Sequence, residues 1–317
     1  MKITKRNHSQ FFNAVKQNKL DIVEELLDIG IEINDLNDAL IMAILEGHVQ
    51  MTSLLIGKGA DVNCINGNPL FLAVRDKNSV LVKLLLSRGA DVWDNSSYYG
   101  TFEVINSYLG KDIEKTDLCL KPSRAFYQSI LQRTPEIFGE LILAAKRYRS
   151  QNAHRYSPSV FEDAFDNLLL YSLFQDFDEG VDIILGYKLT SGASVLRTAL
   201  RKNLQGAAER LLSKGARCGN EIEEAMFSGN WSLVKFLVRN GFECDPNRCL
   251  PMSVECVEIL EFLINKGVNS DALQVALERA VTLNITESAE LLLKHGARPT
   301  PDLVPHLAKM NVGIFSL

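Results

Sequence analysis

The sequence predicts an all-α solenoid of stacked antiparallel helix pairs with an irregular helical middle. Three columns carry that expectation. Glycine recurs at Gly30, Gly59, Gly89, Gly215, Gly241, Gly267 and Gly296. Four residues before each stands a leucine: Leu26, Leu55, Leu85, Leu211, Leu237, Leu263 and Leu292. Sixteen residues before the glycine stands Ala14, Ala43, Ala73, Ala199, Ala225 or Ala280, with Pro251 as the exception. With the register set on glycine alone, the agreement of the other columns is independent. A unit of this size cannot bury its own apolar face, so a chain that repeats it builds by stacking.

Within each unit the elements follow in order. The alanine belongs to a first helix, where a small side chain lets two helix backbones approach. The leucine and the aliphatic residue after it (Leu27, Ile56, Leu86, Leu212, Val238, Ile264, Leu293) define the buried face of a second helix, joined one turn earlier by Val23, Val82 or Val234. The glycine sits where that helix stops, in a left-handed conformation that suits a residue without Cβ. Lys58, Arg88, Lys214, Lys266 and His295, just before it, favour the negative end of the helix dipole. Adjacent glycines are 29, 30, 26, 26 and 29 residues apart. In the C-terminal half little room is left for a projecting hairpin between units.

The stretches "GHVQMTSLLIGKGADVN" and "NPLFLAVRDKNSVLVKLLLSRGADV" resemble ankyrin repeats. That family's pattern runs T-P-L-H-x-A-A-x-x-G-H, an aliphatic helix, then G-A-D-V-N. Gly47-His48 and Gly229-Asn230 stand where the family places its Gly-His turn. The resemblance covers residues 9–93 and 196–300. It departs from the pattern in two ways: only Asn68-Pro69-Leu70 is similar to the opening tetrapeptide, and the repeats fall short of about 33 residues. The expected fold is thus an ankyrin-like solenoid with clipped fingers.

The resemblance implies a non-catalytic module that binds a partner protein on its concave face. In the family the gripping residues lie two and three positions beyond the alanine. Here those positions are Leu45 and Glu46, Arg75 and Asp76, Arg201 and Lys202, and Phe227 and Ser228. Arginine and aromatic residues are types that anchor interfaces. The competing reading has the charged ones solvated and Phe227 packed on the next repeat. Proteins with eroded repeats of this kind occur as signalling adaptors and as effectors that intracellular bacteria or viruses place in a host cell. The expected location is accordingly intracellular, in the cytoplasm or in that of a host.

Between Gly89 and Gly215 the marker is missing over a span with room for about four units. Two segments fit the template in degenerate form. "AFYQSILQRTPEIFGELILAAKR" puts Ser129 in the alanine column and Leu141-Ile142 as the aliphatic pair. "NLLLYSLFQDFDEGVDIILGYK" puts Ser172, Ile184-Leu185 and Lys188 in the corresponding places. A further helix is expected around Thr101 to Leu109. The preferred reading is nine or ten helix pairs in one curved rod; the other is two repeat blocks around an unrelated helical insert. The expected divisions are residues 1–93, 94–190, 191–300 and a cap or tail at 301–317.

Trp93, Tyr98 and Tyr99 in "VWDNSSYYG" exceed what a plain surface loop needs. They form either a binding patch or a cap on the third repeat. Trp231 is expected to pack in the core.

The chemistry classes are excluded in turn. A net charge of -5 argues against general affinity for phosphate backbones. The segment "KRYRSQNAHRYSPS" is the exception in charge; Lys146–Arg155 could grip RNA, or be a solvated loop after a long helix. No phosphate-binding glycine loop is present. The histidines at 8, 48, 154, 295 and 306 are dispersed, and Cys244, Cys249 and Cys256 match no zinc spacing. No catalytic, cofactor or metal site is therefore expected, and the protein is not expected to be an enzyme. The alternative is an enzyme or small-ligand protein whose active element is the irregular middle. No signal peptide and no membrane span are expected, and the chain is expected to be monomeric.

Overall fold

The computed structural model describes residues 5–28, 33–94, 121–310 and 312. Among the described residues the fold is helical apart from one two-residue ladder. The chain divides into two compact units, Met1–Gly192 and Ala193–Leu317.

The first unit holds five helix pairs: α1 (Lys5–Lys16) with α2 (Leu20–Asp28), α3 (Ile33–Leu45) with α4 (Val49–Gly57), α5 (Cys64–Arg75) with α6 (Ser79–Ser87), α7 (Arg124–Leu131) with α8 (Pro135–Gln151), and α9 (Pro158–Phe174) with α10 (Asp178–Gly186). First helices pack in the order α1, α3, α5, α7, α9, and second helices in the order α4, α6, α8, α10. The degenerate segments are therefore helix pairs, the first pair packed on the third repeat and the second pair on the first pair. Strand β1 (Trp93–Asp94) pairs antiparallel with β2 (Lys121–Pro122), Trp93 opposite Pro122. The helix expected at Thr101–Leu109 lies outside the described residues.

The second unit holds α11 (Ala193–Arg201) with α12 (Gln205–Ser213), α13 (Glu221–Phe227) with α14 (Trp231–Arg239), α15 (Pro246–Cys249) continued by a 3-10 turn (Leu250–Ser253) with α16 (Val257–Asn265), and α17 (Ser270–Thr282) with α18 (Thr286–Lys294). A last helix, α19 (Val304–Lys309), buries Leu307. The third pair has the broken first helix that Pro251 demands. A proline there supplies no N–H and crowds the carbonyl one turn back, so the α-turn gives way to 3-10 geometry.

The three columns have physical roles. Every leucine of the leucine column is buried, as is every alanine of the alanine column. The next aliphatic column is only half-buried at Leu27, Ile56, Leu86, Val238 and Leu293, because one residue on is about 100° around the helix. Ser129, Ser172 and Ser253 sit fully buried in or beside the alanine column. Each donates its hydroxyl to a carbonyl of its own helix, Phe126 O at 2.7 Å, Leu168 O at 2.8 Å and Leu250 O at 2.8 Å. That satisfied donor is what allows serine to stand in for alanine.

Column carbonyls also close the turns. Ala43, Ala73, Ser129, Ser172, Ala199 and Ala280 each accept from the backbone N–H five residues on, at 2.8–3.1 Å. Leu55, Leu85, Leu211, Leu237 and Leu292 do the same for the residue after the glycine, at 2.9–3.1 Å, which is the six-to-one bond of a Schellman cap. Both closures require a left-handed residue. Gly47 and Gly229 supply it in two of the inter-helix turns, but Lys77 (φ 54°), Arg133 (φ 50°) and Asp176 (φ 50°) hold it elsewhere with a Cβ. An L-residue in this region is strained by about 1–2 kcal/mol, partly offset by the greater chain entropy of glycine. Lys77→Gly is thus expected to stabilise the protein by roughly 0.5–1 kcal/mol, read as a raised urea midpoint at unchanged slope.

Neighbouring units are stitched by side chains of the loop motif. Asn37 Oδ1 accepts from Asp61 N at 2.8 Å. Asn63 Oδ1 accepts from Asp91 N at 2.8 Å, while its Nδ2 donates to Gly89 O at 3.2 Å. His48 Nε2 bonds Lys16 O at 3.0 Å, one repeat back.

The segment Lys146–Ser159 differs from the expected loop. Helix α8 runs on to Gln151 because Tyr148 and Arg149 find partners on one face. The Tyr148 ring lies 6.2 Å from Trp93, and Arg149 lies 5.8 Å from the Phe161 ring.

Candidate partner-binding face

The residues two positions beyond the alanine column end the first helices, where the chain turns away from the core. In the first unit α3, α5 and α7 lie side by side, so their ends form a row. Leu45 is 50% exposed, Arg75 and Asp76 are exposed beside it, and Leu131 follows at 52%. Arg75 is held by Asp76 through Nε at 2.7 Å and Nη2 at 3.0 Å, and its carbonyl accepts from Gln132 Nε2 at 2.7 Å. Glu46 is exposed at the same turn. The sequence reading passed over Leu131, although the column rule reaches it: it stands two positions beyond Ser129.

In the second unit the corresponding ends belong to α11 and α13, which pack together. Phe227 is 69% exposed, so the alternative of packing on the next repeat does not hold. Arg201 sets its guanidinium 5.8 Å from the Phe227 ring. It also forks onto Glu224, Nε to Oε2 and Nη2 to Oε1, the latter at 3.1 Å. Arg197, one turn back on α11, reaches Glu224 Oε1 at 3.3 Å, and Asn220 Nδ2 donates to the same oxygen at 2.9 Å. Glu224 is 1% exposed, so this carboxylate is buried and fully bonded while the two guanidinium groups stay half in solvent. Its hydrogen bond and then its charge hold the Arg201 guanidinium above its ordinary pKa. Lys202 is exposed next to it, and Ser228 is half-buried, its Oγ donating to Ala225 O at 2.7 Å within the turn. Neither Arg197 nor Glu224 was expected in this role. An acidic residue in the first turn of a helix reads as a dipole partner, and only the fold brings it under the preceding repeat.

Trp93 requires a correction. It is 3% exposed and cannot meet a partner. Its ring lies 5.9 Å from Phe165, 6.1 Å from Phe161 and 6.3 Å from Phe126, so it caps the third repeat against the following helices. Tyr98 and Tyr99 lie outside the described residues. Trp231, expected in the core, is half-buried at the start of α14.

No group of three or more histidine, cysteine or acidic side chains able to hold a metal ion occurs among the described residues. Cys64, Cys218, Cys244, Cys249 and Cys256 are free thiols. Burial, with Asp61 next, pushes Cys64 up to about 11, and burial raises Cys218 as well, both away from nucleophilic thiolate. A hydrogen bond with Cys249 holds Cys244 below its ordinary value. In the basic segment Lys146 lies 5.3 Å from the Tyr187 ring and Arg155 lies 5.5 Å from that of Tyr156. These cations are engaged with the protein's own aromatic rings. No described helix is long and apolar enough to cross a membrane.

Paired helices stacked on small-residue columns, with ordered side chains at the exposed ends, define a repeat protein. A family model described as ankyrin repeats (3 copies) matches residues 11–96, and that segment consists of ankyrin repeats, which are generally protein–protein interaction modules. No curated protein matches the chain. Among solved structures, the crystal structure of the human ASB11 ankyrin repeat domain is similar at 17% identity and a TM-score of 0.42, covering 74% of this chain and 98% of that one.

Proposed function

We propose that the protein is a non-catalytic interaction module that binds a partner protein along the ends of its first helices. The observation that carries this reading is the set of large, exposed side chains that each unit presents at one recurrent position: Leu45, Arg75 and Leu131 in the first, Arg201 and Phe227 in the second. The core demands nothing of these residues, and an exposed apolar ring or leucine tolerated in series marks a surface that is covered in use. The ankyrin repeats at residues 11–96 support the same reading. The eroded repeats favour an adaptor or an effector acting in the cytoplasm of a host cell, working as a monomer and without a cofactor.

Affinity capture tests it. The wild type is compared with Leu45→Asp plus Arg75→Glu, and with Lys202→Glu plus Phe227→Ala. The captured partner is expected to bind at least one of these variants about tenfold or more weakly, at unchanged helical circular dichroism. A partner held equally by all three proteins would refute the proposed face.

A further inference from the structure

The face of the second unit has a chemistry of its own, and it points to a class of partner. Arg197 and Arg201 stand on α11 and Lys202 follows it directly; the carboxylate of Glu224 offsets one of their charges, leaving two of the three cations in excess. The chain as a whole carries -5, so this positive patch runs against the average. The other carboxylates of α13 are turned elsewhere. Glu221 accepts from the backbone N–H of Cys218 at 2.9 Å and of Gly219 at 3.3 Å, and Glu223 is buried beside Cys244 and Cys249.

The geometry also shows why the arginines are not idle solvated charges. A long side chain in water must be ordered before it can bind, at a cost of about 0.5–1.5 kcal/mol each. Here a buried carboxylate does the ordering in advance, through Nε of both guanidinium groups and Nη2 of Arg201. Both side chains nonetheless stay about half exposed, 45% for Arg197 and 54% for Arg201. An arginine fork held in this way suits a carboxylate, which can accept two parallel N–H bonds. Phe227 lies one turn beyond Glu224 on α13, the most exposed large apolar side chain among the described residues, with Arg201 alongside. The patch therefore offers charge and apolar surface within one side-chain length of each other.

We propose that this face takes an acidic segment of a partner protein, a carboxylate on the Arg197–Arg201 pair and an apolar side chain on Phe227. The inference rests on the reading of the protein as a partner-binding module and adds the chemistry of what is bound. Glu224 acts as a positioning residue behind the arginines. Charge complementarity is what selects the occupant: a neutral or basic segment would leave the excess cations unpaired or opposed. Three cations in a chain of -5 are too few for a nucleic acid backbone, whose binding draws on a broad basic surface.

The test is selection from a random peptide display library on the intact chain, followed by anisotropy titration of the enriched peptides. They are expected to carry Asp or Glu next to an aromatic or aliphatic residue, and to bind more weakly as salt rises. Their affinity is expected to fall about tenfold or more in Lys202→Glu and in Phe227→Ala. Both positions are exposed and outside the Glu224 bonds, so these variants keep their fold; Arg201→Glu would set two carboxylates together and is not needed. Enriched peptides without acidic residues, or acidic peptides indifferent to both substitutions, would overturn the inference. Peptides of that kind lost instead in Leu45→Asp or Arg75→Glu would leave the module reading standing. No enriched peptide together with no captured partner would remove both. Binding of an RNA oligonucleotide in place of peptides, abolished by the same substitutions, would also overturn it.

Discussion

Trp93→Ala is expected to lower the stability of the first unit by roughly 3–5 kcal/mol, the range for truncating a buried large aromatic side chain. The indole sits at a junction that the packing of α5 on α7 and of α6 on α8 also forms. It sits on the two-residue β1 strand, at the point where the regular repeats end and the chain departs into the segment before β2. Phe126 reaches it from α7, Tyr148 from α8, and Phe161 and Phe165 from α9. Phe161 and Phe165 meet it edge to face, at interplanar angles of 69° and 73°. Such aromatic pairs contribute about 0.5–1.5 kcal/mol each beyond the area they bury. Alanine would leave a cavity walled by rings from three helices, too rigidly placed to collapse into it. Trp93→Phe, which keeps an aromatic body, is expected to cost well under half as much. The measurement is urea unfolding followed by circular dichroism, with the fluorescence of Trp231, the remaining tryptophan in the alanine variant, as the separate readout of the second unit. A loss below about 1 kcal/mol would show that the cluster does not bind the fourth and fifth pairs to the third.

The same residue shows where sequence reasoning reaches its limit. The leucine and alanine columns are local facts: a spacing of twelve between them survives in every pair, Ser129 to Leu141 and Ser172 to Ile184 included, because it is set by the helix hairpin. That is why the pairs around Ser129 and Ser172 could be found without their glycines. The structure accounts for the missing glycines as well: Lys188 adopts the left-handed conformation (φ 52°) in the glycine column, and at Ala145 helix α8 simply runs on. Trp93 could not be decided in that way. Its partners come from helices that start more than a repeat later, and whether they fold back on it is a tertiary matter. Lys146–Ser159 misled for a related reason. Its composition is that of a loop, yet Tyr148 and Arg149 pack on neighbours and carry the helix onward. On the candidate face, the column rule selects Leu45, Arg75, Arg201 and Phe227, all of them exposed, and extends to Leu131. It could not find Glu224, because the value of that carboxylate lies entirely in two arginines of the preceding repeat.

Leu237→Ala is expected to destabilise the second unit by about 2–5 kcal/mol, whereas Phe227→Ala, ten residues earlier in the same helix pair, is expected to change stability by less than about 0.5 kcal/mol. Leu237 is fully buried, so its side chain holds the packing of α14, while the backbone cap that its carbonyl makes with Phe242 N at 3.1 Å is kept in the alanine variant. A stack draws much of its stability from contacts between neighbours, and a pair weakened at its leucine also loosens the pairs on either side. Amide hydrogen exchange should therefore quicken across several pairs of residues 193–317 in Leu237→Ala and stay local in Phe227→Ala. Binding separates the two in the opposite sense. Phe227→Ala should lose the partner while folded, and Leu237→Ala should lose it only as the folded fraction falls. If Phe227→Ala unfolded the unit as readily as Leu237→Ala, the ring would be holding the stack together, and the docking face would lose its anchor.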